Sequence, residues 1–142
     1  MREILFRGQT RKKGEKVRLD GSPIDSNWVY GGIFPNNEGG DFAIIYQQYP
    51  KIEKYTVYAD TVGQYIGLTD RNGTKIFGGD IVQDEQSGYE YRIKWFQEYA
   101  CYALADRRGN MVFDAYEIDM FLNDLIVVGN IHDNPELLEV SK

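Results

Sequence analysis

The residues that most often carry chemistry in proteins are scarce in this 142-residue chain. His132 is its single histidine and Cys101 its single cysteine, so a multi-histidine metal site, a thiolate cluster and a disulfide framework are excluded. Any Ser-His-Asp or Cys-His arrangement would have to use His132, which stands directly before Asp133 and a predicted helix cap. We therefore predict a surface or capping role for His132, and an inert packed thiol for Cys101 in a predicted strand.

Carboxylates are the remaining candidates, because aspartates can bind a metal ion or act as an acid and base pair. Residues 70–75 begin like a calcium loop, but Lys75 stands where such a loop needs its glycine. The chain also lacks a G-x-G sequence and a Gly-Lys-Ser/Thr phosphate loop. We predict no catalytic, metal-binding or cofactor-binding residues and no enzymatic activity. A metal-dependent hydrolase is a remote alternative, and its candidate carboxylates would be Asp41, Asp60, Asp70, Asp80 and Asp84.

Positive charge is concentrated near the start of the chain. Residues 1–20 hold seven basic and three acidic residues, a net charge of +4, whereas the whole chain carries −6, so the remainder carries −10. An acidic body repels phosphates, and a short basic segment neutralises only a few of them. Net charge therefore disfavours nucleic acid as a partner. The candidate contacts for it are the five basic residues of segment 11–18, namely Arg11, Lys12, Lys13, Lys16 and Arg18.

The segments that must position these residues are mostly of β type. Fifteen glycines punctuate the chain, and the stretches between them are rich in tyrosine, isoleucine, valine and phenylalanine. Residues 89–95 alternate apolar and charged side chains, and residues 99–105 and 111–113 complete an antiparallel meander. Asn72-Gly73 predicts a tight hairpin, and Gly-Gly-Asp at 78–80 predicts a sharp corner between strands. This pattern is typical of a small β-barrel.

Helix is predicted only late in the chain. Asp114 and Glu117 have the spacing of a capping box, and apolar residues recur at helical spacing over residues 114–123. Asn134 followed by Pro135 predicts a short C-terminal helix with the asparagine as its cap. The predicted fold class is therefore mainly β, a partly open antiparallel β-barrel with one helix near 114–123 and a short C-terminal helix.

Length and hydropathy predict a single domain over residues 1–142 that does not cross a membrane. One domain is usual for this length, and no repeat or linker divides the chain. The longest uncharged stretch, residues 26–37, is 12 residues and too short to span a bilayer. The first residues lack the features of a signal peptide, so we expect a cytoplasmic location. Eleven tyrosines and two tryptophans suit strand packing and are also favoured at protein interfaces.

Three blocks of the chain resemble the YopX-like family of phage and prophage proteins. They are MREILFR at 1–7, QYIGLTDRNG at 64–73 with GDIV at 79–82, and VGNIHDNPELL at 128–138. The chain departs from the family at His132, where an aromatic residue is more frequent, and matches it loosely over residues 8–60. The resemblance implies an origin in a mobile element, a mainly β fold with a partly open barrel, and homo-oligomers. It implies no activity and offers no catalytic residues.

These observations lead to one main functional hypothesis and its alternatives. The expected function is a non-enzymatic binding or assembly module of a phage or prophage, which self-associates in the cytoplasm of the bacterial host. Its expected partners are copies of itself and a host or phage protein, without a cofactor. The alternative is a nucleic-acid-binding β-barrel that uses the basic segment 11–18, and the remote alternative is the metal-dependent hydrolase.

Overall fold

The computed structural model of the chain describes residues 3–12, 28–34, 40–48 and 51–139. It divides the chain into two compact units, unit 1 at Met1–Tyr65 and unit 2 at Ile66–Lys142. The prediction of a single domain over residues 1–142 remains a prediction. In the described part of the chain, no helix is both long and apolar enough to cross a membrane.

Unit 1 is built around an antiparallel sheet in the strand order β4-β3-β2-β1-β5. The last strand crosses the boundary between the units: its start at Gly63 and Gln64 pairs with β1 in unit 1. A short 3-10 helix at Ala59–Thr61 joins β4 to β5. The strands are β1 (Phe6–Gln9), β2 (Trp28–Phe34), β3 (Phe42–Gln47), β4 (Glu53–Tyr58) and β5 (Gly63–Thr69).

Alternation of side chains gives the unit 1 sheet two different faces. Successive residues of a strand point to opposite faces, so β3 buries Ala43 and Ile45 and directs Phe42 and Tyr46 outward. The inner face forms one apolar cluster, Val29, Ala43, Ile45 and Val57. Two strands approach closely here: a Cβ added to Gly31 would lie 1.8 Å from the carbonyl oxygen of Tyr46.

Unit 2 contains the end of β5 with its neighbour β6, and a five-stranded antiparallel sheet in the order β10-β9-β8-β7-β11. Short 3-10 helices lie at Gln97–Tyr99, Leu122–Asp124 and Pro135–Leu138. The other elements are β6 (Lys75–Phe77), β7 (Asp80–Asp84), β8 (Glu90–Phe96), β9 (Cys101–Ala105), β10 (Met111–Phe113), α1 (Ala115–Phe121) and β11 (Leu125–Asn130).

Helix α1 closes the main core of unit 2. Its cap is the predicted capping box, in which the Asp114 carboxylate accepts the Glu117 N–H (2.8 Å) and the Glu117 carboxylate accepts the Asp114 N–H. One turn into the helix, Ile118 is buried against the sheet. The cluster consists of Ile76, Val82, Ile93, Leu104, Ile118 and Leu125.

The structure confirms part of the predicted fold class and corrects some details. The fold is mainly β, with two antiparallel sheets and one short α-helix among the described residues. The predicted strand at 99–105 begins only at Cys101, because Ala100 adopts a left-handed conformation (φ 49°) at the end of a 3-10 helix. Barrel closure remains a prediction, since the described strand pairings form open sheets with edge strands.

The C-terminal helix is a short 3-10 helix at Pro135–Leu138, with proline in its first turn as predicted. Asn134 occupies the cap position as predicted, but its side chain makes no hydrogen bond to this helix. The Asn134 Oδ1 atom instead accepts the backbone N–H of Asn130 at 3.2 Å. The side chain turns back toward β11, and Gly129 leaves room for it: a Cβ added there would lie 2.5 Å from this oxygen.

Candidate binding surfaces

Asp70, one of the five candidate carboxylates, organises a turn. Its Oδ1 atom accepts the backbone N–H groups of Asn72 and Thr74, both at 2.9 Å, and its Oδ2 atom accepts that of Val127 at 2.8 Å. The side chain is buried, and each oxygen already has a donor. Asp70 therefore fastens the predicted Asn-Gly hairpin to β11, where Gly73 supplies the positive φ of 83°.

The other candidate aspartates lie at separate places. Asp80 is buried and its Oδ2 atom accepts the Phe77 N–H at 2.7 Å, which builds the predicted Gly-Gly-Asp corner. Asp84 accepts the Gln86 N–H, and Asp60 pairs with Lys12. Asp41 precedes β3, and its carbonyl accepts the Ala59 N–H. Across the described ranges, no three His, Cys, Asp or Glu side chains are grouped so that they could hold a metal ion.

His132 and Cys101 lie in unit 2. The turn that contains His132 is organised by Asn130, whose Oδ1 atom accepts the N–H groups of His132 (3.0 Å) and Asp133 (2.9 Å). Cys101 is a free, half-buried thiol at the start of β9.

The basic segment 11–18 is described only in part. Arg11 is half-buried, and the exposed Lys12 donates to the Asp60 carboxylate at 2.9 Å. The Lys12 ammonium also lies 4.8 Å from the centre of the Tyr58 ring. The other three predicted nucleic-acid contacts, Lys13, Lys16 and Arg18, lie outside the described residues.

The outward face of the unit 1 sheet is rich in aromatic rings; we call it the aromatic face. Phe34 and Tyr46 form an edge-on pair at 6.0 Å between ring centres, and Phe42 and Tyr58 a tilted pair at 5.5 Å. Strand register explains these pairs. Phe42 lies directly opposite Tyr58, and Tyr46 lies opposite Gly32, two residues from Phe34 on the same face of β2. Four of its rings are substantially exposed: Tyr30, Phe34, Phe42 and Tyr46.

A second candidate surface is a cleft of about 500 Å³ in unit 2, which we call the tyrosine–arginine cleft. One wall comes from the start of β8, and the other from the turn between β9 and β10. Such a volume lies within the range of small-molecule sites. The cleft is lined by Tyr89, Glu90, Tyr91, Asp106, Arg107, Arg108 and Val112.

Asp106 fixes the turn that carries the two arginines. Its Oδ1 atom accepts the backbone N–H groups of Arg108 and Asn110, both at 2.9 Å. Hydrogen bonding to the backbone of Asn110, with further bonds from the turn, lowers the pKa of this carboxyl below 3.8. The Asp106 carboxylate, which holds this turn together, is therefore ionised at neutral pH.

Tyr91 is the fixed ring of the opposite wall. It packs edge-on against Phe113 with 5.7 Å between ring centres, and lies 6.4 Å from the more exposed ring of Tyr89. Burial raises the pKa of the Tyr91 hydroxyl above 10.0, and the negative charge of Asp84 acts in the same direction. The phenol is therefore protonated at neutral pH.

Comparison with known proteins identifies the family. A family described as YopX protein matches residues 25–139, most of the chain. The chain belongs to the YopX family. No curated protein matches the chain in sequence. Among solved structures, the chain is similar to the crystal structure of protein EF1440 from Enterococcus faecalis, at 21% identity and a TM-score of 0.54. The alignment covers 98% of this chain and 100% of that one, so the two proteins share a fold.

Two of the three blocks that carry the YopX resemblance, the middle and the closing one, contain well-defined turns in this structure. The middle block contains the turns organised by Asp70 and Asp80, and the closing block contains Gly129 and the turn organised by Asn130. Sequence reasoning recognised the two turns of the middle block but missed the turn organised by Asn130 and the tyrosine–arginine cleft. The alternation of β8 and the turn near Gly109 were both visible in the sequence, yet nothing local indicated that they face one another across a cleft.

Proposed function

We propose that the protein is a non-enzymatic binding module of phage or prophage origin, which assembles with copies of itself through the aromatic face in the host cytoplasm. The observation that carries this proposal is the exposure of four rings on one sheet face. Phe34 is 59% exposed, and Tyr30, Phe42 and Tyr46 are about two-fifths exposed. Aromatic rings are enriched at the centres of protein interfaces because each removes much area from water with few rotors to immobilise.

A second copy of the chain is the occupant that this face fits best. The outward residues of β2 and β3 that the structure describes carry no charge, whereas the chain as a whole carries −6. Two acidic molecules can therefore approach through β2 and β3 without repulsion between like charges on these two strands. A two-fold contact uses the same patch on both subunits and needs no other complementary surface.

The ion pair between Lys12 and Asp60 argues against the nucleic-acid-binding alternative. The carboxylate 2.9 Å from the Lys12 ammonium competes with any phosphate for that charge. The alternative function through Arg11, Lys12, Lys13, Lys16 and Arg18 predicts a gel shift of single-stranded DNA or RNA at low salt. That shift must disappear when all five residues become alanine.

Two candidate carboxylates of the metal-dependent hydrolase already accept backbone N–H groups in turns, which argues against this alternative. Asp70 and Asp80 are both buried and accept backbone N–H groups, which a metal site would have to release.

The test of self-association is sedimentation equilibrium at about 10–100 µM, where an interface of standard size, about 800 Å² per partner, gives a measurable dimer. The variant Phe34→Glu places a charge on the most exposed ring of the face and should weaken association at least about tenfold. The matched control is Tyr99→Glu, which alters a 67% exposed ring of unit 2 and should leave association unchanged.

Three results bear directly on this proposal. A wild-type chain that is strictly monomeric at about 100 µM contradicts it, and so does an equal loss of association in both variants. Loss in Phe34→Glu alone, with circular dichroism and thermal midpoint unchanged, supports it.

A further inference from the structure

Strand β4 forms one edge of the unit 1 sheet, so one side of its backbone faces away from the sheet. Directly after β4, the Ala59 N–H donates to the Asp41 carbonyl at 2.8 Å, and the same register continues along the whole of β3 and β4. Hydrogen-bonded pairs alternate with non-bonded pairs along antiparallel strands. The backbone groups of Lys54, Thr56 and Tyr58 therefore point away from β3.

The outward backbone groups of Lys54 and Thr56 have no partner in the described part of the chain. No turn or loop group bonds to the backbone of either residue, and both residues are exposed. At the end of the strand, the Tyr58 carbonyl accepts the Thr61 hydroxyl at 2.6 Å. A row of unpaired N–H and C=O groups at a sheet edge is a template for a further strand.

The edges of the five-stranded sheet in unit 2 differ from β4. Strand β11 already receives the Asp70 hairpin, in which the Arg71 N–H donates to the Leu125 carbonyl at 3.0 Å and the Asp70 carboxylate accepts the Val127 N–H at 2.8 Å. Strand β10 has three residues, and its pairing with β9 contains a register shift. The six residues of β4 pair with β3 without a shift. Covered, short or bulged edges resist further pairing, whereas a regular edge permits it.

We propose that β4 pairs antiparallel with β4 of a second copy of the chain, about a two-fold axis beside Thr56. Each Thr56 N–H donates to the Thr56 carbonyl of the other copy, and Lys54 lies opposite Tyr58 of the other copy. The two-fold axis keeps like faces on the same side, so the two aromatic faces become parts of one continuous sheet. This edge contact is separate from the contact through the aromatic face.

The side chains of β4 favour this register over its neighbours. Registers that join like faces through outward backbone groups differ by a slide of two residues. The register centred on Tyr55 places the Glu53 carboxylate opposite the apolar Val57, and the one centred on Lys54 places two ammonium groups opposite each other. The register centred on Thr56 pairs the two threonines and places Tyr55 opposite Val57, and both kinds of pair stabilise sheets.

Charge also favours a second copy as the occupant of this edge. The chain carries −6, whereas residues 51–58 contain two lysines and one glutamate. Antiparallel pairing brings Lys54 of each copy to the end of β4 that leads to Asp60 of the other copy. At that end the Lys12 ammonium is paired with Asp60 at 2.9 Å, so it does not add a net positive charge that would repel Lys54.

The first experiment traps the contact with a disulfide. Two six-residue strands cover less than the standard area of about 800 Å² per partner, so the contact is weak and needs covalent capture. Thr56→Cys places two thiols on opposite residues with Cα atoms about 5.5 Å apart, within the range of a disulfide. The matched control is Lys54→Cys, which is exposed on the same face of β4, but whose two copies would lie about 13 Å apart along the strands.

Under mild oxidation at about 100 µM, the disulfide dimer should form at least about tenfold faster for Thr56→Cys than for Lys54→Cys. The wild-type chain, with Cys101 alone, gives the background rate. Equal rates in the two variants, or a Thr56→Cys rate no higher than background, would overturn the proposal.

The edge contact and the aromatic-face contact can be told apart. Adding Phe34→Glu to Thr56→Cys should leave the cross-linking rate unchanged, because Phe34 lies outside β4. Loss of cross-linking in this double variant would show that the aromatic face alone holds the copies together, and would overturn the edge contact. Absence of the Thr56→Cys cross-link in a chain that still associates would also overturn it, but would leave the proposed function intact.

The second experiment observes the backbone hydrogen bonds. In the Phe34→Glu chain, hydrogen exchange of the Lys54 amide should slow about threefold or more between about 50 µM and about 1 mM. Thr56→Pro removes the central donor at a position where an edge strand accepts proline, and should abolish this dependence on concentration. Thr56→Val keeps the N–H group and should preserve the dependence. With circular dichroism unchanged, equal behaviour of the two variants would contradict pairing through β4.

Discussion

The helix-covered core of unit 2 and the outward face of the unit 1 sheet place aromatic side chains in different environments. In unit 2, Tyr91, Phe113 and Phe121 pack against a core that includes Ile118 of helix α1. In unit 1, Phe34 and Tyr46 lie on the outward face of a sheet whose other face buries only four core residues. The same β-rich composition therefore gives partly buried rings where helix α1 covers the sheet of unit 2, and exposed rings on the outward face of the unit 1 sheet.

The units also differ in the residues on which their backbone geometry depends. Unit 2 uses aspartate carboxylates that accept backbone N–H groups at Asp70, Asp80, Asp84 and Asp106. In unit 1, β2 and β3 approach closely at a glycine, Gly31. Unit 1 should therefore be sensitive to added volume in its sheet, and unit 2 to loss of acceptors in its turns.

The largest effect that we predict is that of Gly31→Ala on unit 1. The new Cβ would lie 1.8 Å from the Tyr46 carbonyl oxygen, and backbone atoms on both strands would have to move. We expect the free energy of unfolding to fall by about 4 kcal/mol in chemical denaturation. Gly32→Ala is the control, since no atom lies within 4 Å of its added Cβ. Similar losses in both variants would contradict the close approach of β2 and β3.

The next effect is that of Ile118→Ala on unit 2. Ile118 is almost fully buried where α1 meets the sheet, so truncation leaves a cavity in the main cluster. The expected loss of unfolding free energy is about 3 kcal/mol. Met120→Ala on the same helix should change it by less than about 0.5 kcal/mol, because Met120 is 68% exposed. If the two variants were equally stable, the helix would not close the core as described.

A smaller effect is expected for Asp70→Asn. An asparagine keeps one acceptor oxygen but turns an N–H donor toward a backbone N–H that Asp70 now accepts. Thermal or urea unfolding should show a loss of about 2 kcal/mol. The comparison variant is Asp84→Asn, whose hydrogen bond from the Gln86 N–H is exposed, and which should lose no more than about 1 kcal/mol. The reverse ranking would remove the argument that buried acceptors stabilise the turns of unit 2.

The smallest effect concerns the ionisation of Tyr91. Because burial raises its pKa in the folded protein above 10.0, the protonated phenol stabilises the fold at pH values below the unfolded pKa. This contribution is lost as the pH rises through the higher folded pKa. Tyrosinate absorbance at 295 nm should show a late-titrating component that Tyr91→Phe removes and Tyr99→Phe retains. Simultaneous titration of all eleven tyrosines would contradict it.

Some features could be predicted because they depend on neighbours in sequence. The capping box needs only Asp114 and Glu117 three residues apart, and the hairpin needs only Asn72-Gly73 between two strands. Asn134 stands at the predicted cap position, but its side chain does not cap the helix, because it accepts the backbone N–H of Asn130 at the end of β11 instead.

The cleft and the aromatic face depend on contacts between distant segments. Tyr89 and Arg108 belong to different walls of one cleft only because β8 pairs with β9, and the turn of Asp106 follows. Asp70 acquires its third hydrogen bond from Val127, 57 residues away. The sequence did not indicate which tyrosines would be exposed, because exposure depends on what packs over each strand.

By itself, the sequence determined the β-rich class of the chain, its family, its helix cap and the positions of its sharpest turns. Tertiary structure decided which rings face outward, which carboxylates are occupied by backbone donors, and which side chains share a cleft. The division has a physical basis. Caps and turns are held by interactions between residues a few positions apart, whereas burial and the neighbours of a side chain depend on strands that meet only when the whole sheet has formed.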